Sequence, residues 1–140
     1  MRDIMNSIHP VPAIAPAGAV TDNTALTSVT IDRQGHESLT FVILTGALAD
    51  ADATFSVLVE HSDTDWSGES AVPDGELVGT EALAGFTFAD DGACRKIGYL
   101  GSKRYVRLTV TPANNSGNAY IAAVALLGHP HTAPTSNPPA

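Results

Sequence analysis

Between two proline-rich ends, the apolar residues of this 140-residue chain recur at every second position and never settle into a long helical period. Thr54-Phe55-Ser56-Val57-Leu58-Val59-Glu60-His61 alternates, with Phe55, Val57 and Val59 on one side. Leu39-Thr40-Phe41-Val42-Ile43-Leu44 is apolar on both sides, which predicts a strand covered on both faces and therefore central. Further strands are expected at Leu26–Ile31, around Glu76–Val78 and Gly85–Ala89, and at Arg95–Tyr99, Tyr105–Thr111 and Tyr120–Leu127. Gly, Asp, Asn and Pro separate them. About eight short strands predict an all-β single domain, a β-sandwich or jelly roll, with strand order left open. A chain of this length buries roughly 65–70% of its unfolded surface, enough for a core without staples.

The ends break the pattern. Residues 9–18 carry Pro10, Pro12 and Pro16, and residues 129–140 carry Pro130, Pro134, Pro138 and Pro139. Proline fixes φ and removes a donor, so both ends are expected as extended arms, neither helix nor central strand. The expected division is an arm over 1–18, a sandwich over 19–128 and a tail over 129–140. Ile8, Val11 and Ile14 make the first arm apolar, so it lies either on its own domain or on a neighbour. Its prolines also break any signal-peptide core. The longest apolar run, Ile121–Leu127, falls far short of the ~20 residues of a membrane helix, so no membrane partner is expected. The single Cys94 excludes an intrachain disulfide and fits a reducing compartment.

Charge is unevenly spread. Residues 1–91 hold all fifteen acids with Arg2 and Arg33, while residues 92–140 hold no acid and five cations. This acidic balance argues against nucleic acid as a partner. Gly101-Ser102 between two alternating runs reads as a two-residue type II′ hairpin turn. That register sets Tyr99 opposite Arg104, Gly98 opposite Tyr105 and Lys96 opposite Arg107. Tyr105 would lie over the bare Gly98, and Arg104 would keep its head free. The like-charged Lys96–Arg107 pair would cost up to roughly 1 kcal/mol unless carboxylates screen it. These come from the acidic part of the chain or, as the favoured source, from a partner. Lys96, Lys103, Arg104, Tyr105 and Arg107 are therefore contact candidates.

Reactive centres are poorly supported. His129-Pro130-His131 has metal-ligand spacing, but a proline sits between the histidines and no Glu follows. Asp50/Asp52 and Asp63/Asp65 lack a twelve-residue calcium loop and its closing Glu. Cys94 has no placeable His–Asn set. No metal, cofactor or enzymatic activity is expected. Trp66, the single tryptophan, either covers one end of the core or anchors a contact. In Tyr120–Leu127 the odd positions can face the core, while Tyr120, Val124 and Leu126 face a second layer or another subunit. An apolar outer sheet face is an interface signal.

Three runs, Ser38-Leu39-Thr40-Phe41-Val42-Ile43-Leu44-Thr45-Gly46-Ala47-Leu48, Ile97-Gly98-Tyr99-Leu100-Gly101-Ser102-Lys103-Arg104-Tyr105-Val106-Arg107 and Leu127-Gly128-His129-Pro130-His131, together resemble small structural proteins of tailed bacteriophages. The Gly-Ser-Lys-Arg-Tyr-Val-Arg piece is the most specific. The chain looks like the capsid cement, or decoration, proteins, as in Bordetella short-tailed phages. The resemblance implies a jelly roll made in the bacterial cytoplasm that sits on the outer surface of the virion and bridges major capsid proteins. A homodimer is expected first and a trimer second. The competing expectation is a β-sandwich module reading carbohydrate or a host surface, for which 6% aromatic residues make a thin platform. A cupin-like enzyme lacks its metal triad.

Overall fold

A computed structural model describes residues 2–140. In chain order the strands are β1 (Ile8–Ile14), β2 (Leu26–Thr27), β3 (Ile31–Asp32), β4 (His36–Leu48), β5 (Thr54–Ser62), β6 (Ser70–Ala71), β7 (Leu77–Val78), β8 (Phe86–Thr87), β9 (Cys94–Tyr99), β10 (Tyr105–Ala113) and β11 (Ala119–Pro130). One helical turn, α1 (Glu81–Ala84), stands between β7 and β8. Its Thr80 side chain accepts the Leu83 amide as an N-cap. Among the described residues no helix is long and apolar enough to cross a membrane.

The strands form two antiparallel sheets packed as a jelly-roll-type β-sandwich. The first sheet runs β1-β11-β4-β9-β7, and the second runs β2-β10-β5-β6, with β3 also on β10 and β8 on β5. The core lies where alternation puts it: Leu39, Phe41 and Ile43 from β4 and Ile97 from β9 meet Val59 from β5 and Val106, Leu108 and Val110 from β10. Each such aliphatic or aromatic side chain contributes roughly 1.5–3 kcal/mol on burial. β4, apolar on both sides, is indeed the middle strand of its sheet.

Eleven strands replace about eight because several pair over only two residues, too short to show a period. The expected strand Leu26–Ile31 is split at Ser28. The Ser28 amide donates to the Leu108 carbonyl at 2.7 Å and its hydroxyl accepts the Leu108 amide at 2.9 Å, so a side chain stands in for part of the ladder.

The N-terminal arm is a strand of the sandwich, so the boundary expected at residue 19 moves. Residues 8–14 pair with β11, from Ile8 opposite Gly128 to Ile14 opposite Ala123. Pro10 and Pro12 are tolerated because this strand has an open edge, where missing donors cost nothing. Ile14 is 7% exposed and Val11 is partly buried against the core, so the arm lies on its own domain, the first of the two expected placements. The C-terminal tail also returns to its own domain: the Thr135 amide donates to the Asn6 carbonyl at 3.0 Å and the His131 amide to Gly35 at 2.9 Å.

The basic hairpin does not form. β9 belongs to the first sheet and β10 to the second, so residues 100–104 cross between layers. Lys96 lies opposite Val42, and Arg107 lies opposite Glu60. Arg33 holds the crossing: its Nε donates to the Lys103 carbonyl at 2.9 Å and its terminal nitrogen to Gly101 at 3.1 Å. Gly101 is needed there because a Cβ would strike the Tyr99 hydroxyl and the Glu76 carboxylate. Gly98 is bare because Val78, not Tyr105, crosses over it: a Cβ would come within 3.1 Å of the Val78 Cβ.

Candidate functional site

Two surfaces collect the candidate residues, one on each layer. The first is the outer face of the five-stranded sheet. Directly opposed residues share a face, so the register defines it. Pro10 and Pro12 of β1 lie opposite Leu126 and Val124 of β11. Leu126, Val124 and Ala122 lie opposite Thr40, Val42 and Leu44 of β4. Those lie opposite Gly98, Lys96 and Cys94 of β9, and Gly98 lies opposite Val78 of β7. The face is mostly apolar, broken by Thr40 and Lys96, with Leu44 at 48%, Val78 at 55% and Tyr120 at 43% exposure. A one-layer antiparallel surface facing water normally alternates to polar residues. The second sheet obeys that rule: β5 turns out Ser56, Leu58 and Glu60, opposite Thr111, Thr109 and Arg107 of β10.

Two grooves flank the centre of the apolar face. One, of about 580 Å³, lies among Pro12, Leu44 and Val124 and is reached by the terminal Pro139 and Ala140. The other, of about 480 Å³, lies among Thr40, Val78, Lys96 and Leu100. Of the expected contact residues, Lys96, Tyr120, Val124 and Leu126 meet on this face, with Ile8 at its rim. Leu44, Val42 and Val78 were missed. The both-sided apolarity of Leu39–Leu44 carried the signal for the first two, since an apolar second side must face something.

The second surface gathers Trp66, Lys103, Arg104, Tyr105 and Arg107 at the crossing end of the other layer. Their charges are engaged inside the chain, contrary to the expectation of a partner's carboxylates. Arg104 makes a bidentate pair with Asp32, both bonds at 2.8 Å, so its head is not free. That hydrogen bonding holds the Asp32 carboxyl below the usual range and raises the Arg104 guanidinium. Arg104 also lies 5.0 Å over the Tyr105 ring. Lys103 reaches Asp63 at 3.4 Å. Arg107 stacks 4.0 Å above Trp66 and donates to the Thr30 hydroxyl at 3.0 Å, so Trp66 anchors an arginine of its own chain.

Elsewhere, His129 and His131 engage Ser38, at 2.9 Å, and Glu37. The His131 hydrogen bond holds the Glu37 carboxyl below its ordinary value. Burial, with His9 and His131 nearby, keeps His36 low. Among the described residues no three His, Cys, Asp or Glu are placed to hold a metal ion. Cys94 is exposed.

No family model and no curated protein matches this chain. Solved structures do. The PBSX exported protein XepA is 16% identical over 85% of this chain, with a TM-score of 0.54. The infectious bursal disease virus Gx strain structure is 9% identical over 87% of this chain and 32% of its own, with a TM-score of 0.49. The xylan-binding module CBM15 is 10% identical over 93% of this chain and 95% of its own, with a TM-score of 0.43. The chain spans only 36% of XepA. At these identities the likeness concerns the sandwich fold alone.

Proposed function

We propose that this chain is a structural virion protein that decorates and cements the outside of a tailed-phage head, bridging adjacent major capsid proteins. The apolar outer face of the first sheet carries the reading: a solvated sandwich has no use for such a surface, and a docking module does. The three sequence runs resembling cement proteins give the partner class. Docking that occurs only on the assembled lattice stabilises it by mass action, and contacts repeated over the lattice add avidity. A symmetric oligomer, dimer before trimer, would multiply those contacts. No enzymatic activity is part of the proposal. The competing glycan- or host-binding reading draws less support, because Arg107 already occupies one face of the Trp66 ring.

Co-sedimentation with purified heads of a tailed phage carrying this gene, stripped of the protein, tests the reading. Saturable binding that leaves free shell subunits unbound supports it. Protein left in the supernatant, together with specific capture on a glycan array, would favour the other reading.

A further inference from the structure

We propose that the surface received by the first sheet's outer face is a shell-subunit patch of apolar residues around one carboxylate, and that Lys96 is the cation this carboxylate meets. The inference rests on the docking reading above and adds the chemistry of the contact.

The other cations from Arg33 onward have work inside the chain. Arg33 binds the backbone carbonyls of the crossing. Arg95 pairs with Asp90 at 2.6 Å, Lys103 with Asp63 and Arg104 with Asp32. Arg107 is held by Trp66 and Thr30. Among the described residues, Lys96 makes no ion pair and no side-chain hydrogen bond. It stands beside Val42, between Cys94 and Gly98, on the face with the fewest polar groups.

Covering that face with a purely apolar surface would strand an ammonium group in a dry interface, which is strongly unfavourable. A carboxylate opposite it removes that cost and fixes the register of docking. The same count argues against a second copy of this chain as the occupant. A twofold interface must be self-complementary. The face-directed positions of the five strands offer one cation and no carboxylate, so pairing the face with itself would leave each copy's Lys96 covered without a carboxylate to meet it.

Binding to stripped heads, measured for folded variants with unchanged circular dichroism, tests this. Lys96→Arg is expected to bind within about threefold of the parent chain, and Lys96→Glu at least about tenfold more weakly. Lys96→Met should fall between them and lose salt dependence. Lys96→Glu binding like the parent while Leu44→Arg fails to bind would overturn the carboxylate inference and leave the docking reading standing. So would a dimer in solution that Leu44→Arg dissociates. Failure of the parent chain to bind heads at all would overturn both.

Discussion

The His61 Nδ1 atom and the Tyr99 hydroxyl lie 2.8 Å apart and join the two sheets, one residue from β5 and the other from β9. The hydroxyl also accepts the Lys103 amide at 3.1 Å, so it links His61 Nδ1 to the crossing loop. His61 is buried in the same interior as the core. Phenylalanine at position 99 would leave that nitrogen without a partner. Tyr99→Phe is expected to cost about 1–3 kcal/mol, read as a lower midpoint in urea with an unchanged slope. An unshifted midpoint would show that the bond contributes nothing net.

The same pair makes the fold acid-sensitive. Burial, with Lys103 nearby, pushes the His61 imidazole below its ordinary 6.5, against an opposing pull from Glu76 and Asp63. His36 is shifted the same way, mainly by burial. Below about pH 6.5 the unfolded chain takes up protons that the folded chain resists, so stability falls as pH drops through that value. Thermal melts at pH 7.5, 6.5 and 5.5 should show a progressive fall, and His61→Gln should flatten it. A Tm that rises between 7.5 and 5.5 would contradict the assignment.

β1 is predicted to be indispensable to the fold. It carries Ala13 and Ile14 into the core and covers the edge of β11. Ile14→Ala should cost roughly 2–5 kcal/mol. Deleting residues 2–14 should abolish cooperative unfolding, seen as a broad thermal transition. A truncated chain melting within a few degrees of the parent would return residues 8–14 to the status of a dispensable arm.

Leu44→Arg separates docking from folding. Leu44 is half exposed on the outer face, so the substitution should move the Tm by no more than a few degrees while removing head binding. Lost folding would place Leu44 in the interior, and retained binding would move the docking surface elsewhere.

Much of the fold could be read from alternation. Phe55, Val57 and Val59 face inward as expected, and the odd positions of Ile121–Leu127 do the same. What alternation could not supply was sheet membership. Gly101-Ser102 has hairpin chemistry, yet Tyr99 reaches the other layer at His61 and Arg33 ties the following loop, so the strands part company. Pro10 and Pro12 argued against a strand, whereas an open edge accepts them. The paired cations were illegible for a related reason: Asp32 lies far from Arg104 in sequence and meets it only through the β3–β10 register. The apolar outer face, by contrast, was foreshadowed in Tyr120–Leu127 because that run is apolar at its even as well as its odd positions.

Cys94 offers the most direct measurement of the docking claim. It is the single cysteine, it is exposed, and it lies opposite Leu44 on the apolar face. The rate of its modification by a small maleimide should drop at least about tenfold when the protein is bound to heads, because water and reagent are excluded from a packed interface. Equal rates for free and head-bound protein would contradict docking through this face.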